Sequence, residues 1–123
     1  MELKLTLGRD YPEEIRQLRN DPRVKQGFLE QTYITSEDQD NYMQQYGDYY
    51  YVCLCDDSFA GYAGVIDGDI RVCVHPDFQQ KGVGLFLLKE IKRMYPYATA
   101  QIKYDNIASI KLFTKAEIPF RLI

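Results

Sequence analysis

The sequence lacks any cluster of basic residues. Fifteen lysines and arginines stand against eighteen acidic residues, a net charge of −3. Nucleic-acid binding needs grouped cations to neutralise phosphate, so nucleic acid is not expected as a partner. No uncharged run approaches the roughly 20 residues of a membrane span. No basic start leads into an apolar stretch, so neither a membrane partner nor a secretion signal is expected. No repeat, low-complexity stretch or linker interrupts the chain. Its 123 residues predict one domain spanning 1–123. Cysteines are few: Cys53, Cys55 and Cys73. An odd count without a secretion signal points to free thiols and a cytoplasmic location. What is present, 46% apolar and 27% charged residues, fits a globular domain.

Cys53-x-Cys55 and Cys73-x-His75 could be read as four zinc ligands. Both pairs fall in expected strands, with a third strand between them. Two strand spacings separate such pairs by roughly 9–10 Å. Tetrahedral zinc needs donor atoms about 4 Å apart. No metal is expected, and the cysteines are read as small core residues.

Glu2 to Leu7 alternates with period 2, as a strand does. Asp10, Pro12 and Glu13 mark a helix start, with Asp10 as its cap. Asn20-Asp21-Pro22 stops it. Arg23 to Leu29 is short helix or irregular chain. Thr35 or Ser36 caps a helix over Glu37 to Gln45, with Gln39 completing a capping box from Ser36. Strands are expected over Tyr49 to Cys55, Phe59 to Ile66 and Asp69 to Val74, joined by turns at Asp56-Asp57-Ser58 and Asp67-Gly68. In the first, alternation sets Tyr50 apart from its two tyrosine neighbours. Gly61 and Gly64 weaken the middle strand. Val83 to Met94 is an amphipathic helix. A strand at Thr99 to Tyr104, a helix at Ile107 to Lys115 and a strand at Phe120 to Ile123 follow. The order β-α-α-β-β-β-α-β-α-β is a mixed α/β sheet.

The stretch from Val72 to Gly84 carries the chemistry. A strand runs through a Pro-marked loop into two glycines at a helix start. Free N–H groups of a first helical turn make an anion site. Gly82 and Gly84 read either as a pyrophosphate cradle or as a tight loop that caps a helix. A Walker loop is absent. Gly82 and Gly84 match two glycines of a dinucleotide fingerprint, but Leu87 stands at the third.

Val74-x-Pro76, then Gln79-x-x-Gly82-x-Gly84, resembles a signature of the GNAT family of N-acetyltransferases. A second signature is matched by Asn106-Ile107-Ala108-Ser109 with Lys111, Phe113 and Lys115. Leu18-Arg19-Asn20-Asp21 and Ile34 to Asp38 are similar to the branch acting on ribosomal protein N-termini, antibiotics or amino-sugar nucleotides. The resemblance implies the GNAT fold and acetyl-CoA as cosubstrate, bound between the strand ending at Val74 and the strand Thr99 to Tyr104. It implies that Gln79, Gln80, Lys81, Gly82, Val83 and Gly84 hold the pyrophosphate. Val72, Cys73 and Val74 would meet the pantetheine arm, and Asn106 and Phe113 would line it, although Phe113 reads first as a core residue of its helix. Asn106 also reads as a helix cap. The resemblance implies that the acceptor is a primary amine of a small molecule or peptide. Asp69 and Glu30 are the candidate bases. Many members carry Tyr as the acid where this chain has Phe113, so Ser109, Tyr104 or water must serve. His75 fills a slot that is commonly His without catalytic duty. The alternative is a module that binds CoA or a partner without turnover. Members also finish with two strands after the second signature. Here Glu117-Ile118 replaces Gly-Phe, and one strand is expected to be missing. A homodimer or an unusual local pairing is expected to cover the edge.

Overall fold

The computed structural model describes residues 1–29 and 32–123. Strand β1 (Leu3–Leu7) is followed by helices α1 (Pro12–Asn20), α2 (Pro22–Lys25) and α3 (Ser36–Tyr46). Strands β2 (Tyr50–Cys55), β3 (Ser58–Ile66) and β4 (Asp69–Val74) come next. Helix α4 (Val83–Met94), strand β5 (Ala100–Ile102), helix α5 (Ile107–Lys115) and strand β6 (Phe120–Leu122) complete the order. The mixed α/β architecture is the one expected, with the one-turn α2 added. No helix among the described residues is long and apolar enough to cross a membrane.

Strands β1 to β4 form an antiparallel sheet in chain order. Asp56-Asp57 (φ 49° and 69°) and Asp67-Gly68 (φ 53° and 79°) turn the β2–β3 and β3–β4 hairpins. Paired left-handed residues match the twist of the strands they join. Side chains then alternate between two cores. Cys53, Ala63, Val65 and Ile70 pack with Val83, Leu87, Leu88 and Ile91 of α4 and Phe113 of α5. Tyr50, Val52, Tyr62 and Cys73 pack on the opposite face with Ile15 and Leu18 of α1 and Met43 of α3. Between β2 and β3 the register steps from Cys53↔Gly61 to Leu54↔Phe59, leaving Ala60 as a bulge. The cysteines divide between the cores, Cys53 and Cys55 in one and Cys73 in the other. Burial pushes the Cys53 thiol up to about 11 and that of Cys73 up to about 12.

Two local expectations are corrected. Asp10 does not cap α1; it lies in a 3-10 turn over Gly8–Asp10, and α1 starts from Tyr11 without a side-chain cap, on Pro12. The capping box of α3 is Thr35 with Asp38, not Ser36 with Gln39. Beyond α5 the chain turns at Glu117 (φ 58°), with Glu117 N–H on the Thr114 carbonyl and Ile118 N–H on that of Phe113, each at 3.1 Å. This is a Schellman ending, so Glu117 holds the left-handed position that glycine usually takes. The chain then enters β6, which pairs in parallel with β5 (Ala100↔Phe120 to Ile102↔Leu122). Local pairing therefore covers that edge of β5.

Gln39, displaced from the cap, is 1% exposed, and neither its Nε2 nor its Oε1 has a partner among the described residues. An unpartnered buried amide costs about 1–3 kcal/mol. Gln39→Met keeps the shape and removes the polar atoms. It should raise the unfolding free energy by about 1–2 kcal/mol in urea titrations; a loss of stability would show that the amide is satisfied.

Candidate active site

Strand β5 touches β4 at one end only. Asp69 and Thr99 form an isolated parallel bridge. Ile70 N–H donates to the Thr99 carbonyl at 2.8 Å and Thr99 N–H to that of Gly68 at 3.0 Å. Beyond that point β5 pairs with β6 instead, and a cleft opens between β4 and β5. On its other side β4 pairs with β3 as far as Gly61↔Val74, and His75 N–H closes on the Ala60 carbonyl at 2.8 Å. Alternation of the antiparallel ladder turns the main chain of Asp69, Arg71 and Cys73 toward β3 and that of Ile70, Val72 and Val74 toward β5. Ile70 is used in the bridge. Val72 and Val74 present strand-like N–H and C=O groups to the cleft, where no strand among the described residues faces them. Cys73 is corrected out of this trio: its main chain serves β3 and its side chain the core beside α1 and α3.

Past Val74 the chain makes a 3-10 turn (Pro76–Phe78). The Asp77 N–H donates to His75 Nδ1 at 3.1 Å, which makes His75 a cap for that turn. Gln80 (φ 62°) and Gly82 (φ 81°) then bend the loop through left-handed conformations into α4. The first intrahelical bond of α4 runs from Phe86 N–H to the Gly82 carbonyl at 2.9 Å. The N–H groups of Val83, Gly84 and Leu85 precede it, and no side chain caps the helix start. These donors and the helix dipole fit an anion.

The two glycines do different work. Nothing lies within 4 Å of a Cβ placed on Gly82, so its backbone twist is what requires glycine. A Cβ on Gly84 would lie 2.8 Å from Leu112 Cδ2 and 3.4 Å from Val74 Cγ2. Gly84 lets α5 close against α4 and β4. This packing accounts for the glycine at 84, and the Gly84 N–H stays among the donors of the first turn of α4.

Asn106 caps α5, taking the Ser109 N–H on Oδ1 at 3.2 Å, while its Nδ2 donates to the Gly27 carbonyl at 3.4 Å. Lys103 Nζ donates to the Gln26 carbonyl at 2.9 Å. The chain after α2 is thus strapped to the β5–α5 connection, over a cavity of about 370 Å³ lined by both. Lys103 and Gly27 carried no local signal in the sequence; 77 positions separate Lys103 from Gln26. On the other side Arg23 joins Asp21 (2.7 Å) to Asp77 (3.6 Å), tying α2 to the turn before α4. Arg23 holds the Asp21 carboxyl at about 2, below the usual carboxylate range. Asp69 stands at the closed end of the cleft, with Arg71 Nε on its carboxylate at 3.3 Å. Ser109 is half-buried in the first turn of α5. Glu30 lies outside the described residues. Phe113 is corrected from ligand contact to core: it is 2% exposed and packs edge-on against Phe120 at 6.4 Å.

Residues 13–117 match the family described as the Acetyltransferase (GNAT) family. The chain belongs to the GNAT acetyltransferases. Solved structures of the same fold include an N-acetyltransferase from Staphylococcus aureus Mu50 (TM-score 0.79, 18% identity, 95% of this chain and 83% of that one). Another is the spermidine N-acetyltransferase of Vibrio cholerae, in complex with CoA and spermine (TM-score 0.76, 14% identity, 93% and 79%). A third is the ribosomal-protein-alanine N-acetyltransferase of Brucella melitensis (TM-score 0.75, 17% identity, 94% and 82%). No curated protein sequence matches the chain. GNAT enzymes use acetyl-CoA, and acetyl transfer is the activity of this GNAT domain.

The split between Gly82 and Gly84 can be measured. Gly84→Ala should cost about 1–3 kcal/mol of stability through overpacking. Adding Leu112→Ala should cost much less than the two single changes summed. Gly82→Ala should show strain but no coupling to Leu112. A urea double-mutant cycle reads both, and additive costs at Gly84 and Leu112 would refute the packing role.

Proposed function

We propose that this chain transfers the acetyl group of acetyl-CoA to a primary amine of a small molecule or peptide, by direct attack. One observation carries the reading: the unpaired main chain of Val72 and Val74 opens on the same cleft as the uncapped first turn of α4. Acetyl-CoA supplies the activated acyl group. The N–H groups of Val83, Gly84 and Leu85 hold its pyrophosphate, with Gln79, Gln80 and Lys81 shaping the approach. Val72 and Val74 pair with the pantetheine arm as a neighbouring strand would. The Val74 N–H also donates to the thioester oxygen as it gains negative charge.

An alkyl amine has a pKa near 10, so it must lose a proton before it attacks. Asp69 takes that proton through a water. Phe113 has no proton to give to the departing thiolate, and its burial removes it from the site altogether. Ser109 or water serves instead. A thiol pKa near 8.5 makes an unprotonated leaving group cost only about 2 kcal/mol at pH 7. The Vibrio cholerae structure, with CoA and spermine bound, supports a small amine as acceptor.

Calorimetry should show CoA and acetyl-CoA binding at micromolar concentrations, and an amine panel should release thiol from acetyl-CoA. Asp69→Asn should lower kcat about a hundredfold near pH 7 while leaving the Kd for CoA unchanged. CoA binding without thiol release from any amine would favour a non-catalytic module. Absence of CoA binding would end the proposal.

A further inference from the structure

The face of β4 turned away from α4 carries a second constellation. Tyr50, Gly64 and Arg71 stand side by side across β2, β3 and β4. A Cβ on Gly64 would lie 2.7 Å from Tyr50 Cδ1 and 2.9 Å from its Cε1. The Tyr50 ring therefore lies flat over β3, in the row that leads to Arg71. Its hydroxyl meets that of Tyr42, from α3, at 2.7 Å. The guanidinium carbon of Arg19, from α1, sits 5.8 Å from the centre of the Tyr42 ring. Both arginines act electrostatically on the Tyr50 hydroxyl. Two cations thus flank two phenol hydroxyls, brought together by β2, β4, α1 and α3.

The charges are unevenly matched. Asp69 engages Arg71 only through Nε, at 3.3 Å, and the outer nitrogens of that guanidinium make no hydrogen bond among the described residues. Arg19 is half-buried, and its guanidinium has the Tyr42 ring but no carboxylate among the described residues. Asp21 also acts on this face, at Cys73, but Arg23 closes it at 2.7 Å. Among the described residues the two cations of this cluster meet one carboxylate, that of Asp69. The Arg71 side chain is 43% exposed, so a ligand can reach it. A planar guanidinium edge fits a carboxylate through two parallel hydrogen bonds. Arg71 is also the immediate neighbour of Val72, whose main chain faces the cleft. An anion on Arg71 leaves an amine a few bonds away beside the acetyl position.

We propose that the acceptor is an amino carboxylate, held through its carboxylate by Arg71 and Arg19 with the hydroxyls of Tyr42 and Tyr50. The assignment rests on the acetyltransferase reading above and names its substrate class. N-acetyl-L-phenylalanine and N-acetylglycine serve as unreactive product probes, titrated by calorimetry with and without CoA against their carboxamides. The acids should bind at least tenfold more tightly than the amides. Arg71→Met should abolish that preference, Arg71→Lys should keep part of it, and Arg19→Met should weaken it; the CoA Kd of each variant reports that it is folded. Equal binding of acid and amide, or no binding of either by protein that binds CoA, overturns the carboxylate site and leaves the acetyltransferase reading standing. Acids that bind with the stated preference to a chain that does not bind CoA uphold the site and overturn that reading. A chain that binds neither overturns both.

Discussion

The structure depends on the parting of β4 and β5 after a single bridge at Asp69 and Thr99. Backbone amides in a sheet are normally paired, and an unpaired buried one costs about 1–3 kcal/mol. The cleft can persist only if something polar faces Val72 and Val74, whether water or a ligand that imitates a strand. A ligand that does so binds the folded chain alone and stabilises it by mass action. The parting is sustained from the far side. Strand β5 has its own parallel partner in β6, through Ala100↔Phe120 to Ile102↔Leu122, so it is not drawn back onto β4. The site is therefore a consequence of sheet pairing, and the loop before α4 brings the free N–H groups of a helix start to its mouth.

Much of this was legible in the sequence because it rests on local rules. Period-2 alternation and the Asp-rich turns gave the meander from β2 to β4. Two glycines after Val74-x-Pro76 marked the start of α4. What stayed hidden depends on contacts between distant segments. Gly82 and Gly84 look alike in sequence, yet one is required by its φ of 81° and the other by Leu112, 28 positions on. Gly64 read as a weakness in a strand; it is the floor under the Tyr50 ring. The spacing of α5 already put Phe113 in the core; its edge-on partner, Phe120, comes from the strand beyond and was not legible. Glu117 read as a lost glycine, yet its backbone still takes the left-handed turn, because the Schellman bonds and the burial of Ile118 outweigh a strain of about 1–2 kcal/mol.

The strap from Gln26 and Gly27 to Lys103 and Asn106 links the two halves of the cleft. Asn106 serves α5 and the strap at once, one amide atom for each. Its family signature therefore has a physical basis in this chain that needs no ligand. Arg23 makes a second link, from α2 to the turn before α4. Its side chain is 57% exposed, where ion pairs contribute little to stability. Both links instead constrain where the segment after α2 can sit relative to Val74.

Strand β4 divides two tasks between its alternate residues. Val72 and Val74 offer main chain to the cleft and side chains to the α4 core, while Asp69, Arg71 and Cys73 pair with β3 and point their side chains at α1 and α3. Because the period is two, a one-residue slip would exchange the sets and put Arg71 under α4. The register is held by the tight Asp67-Gly68 turn at one end and by Ala60, which takes the His75 N–H, at the other. The bulge at Ala60 is what lets β3 satisfy β2 and β4 in different phases. The main chain turned to the cleft and the side chains turned to α1 and α3 are thus fixed by one register. A change in β3 would disturb both together, whereas a change in α1 or α3 would reach only the second face.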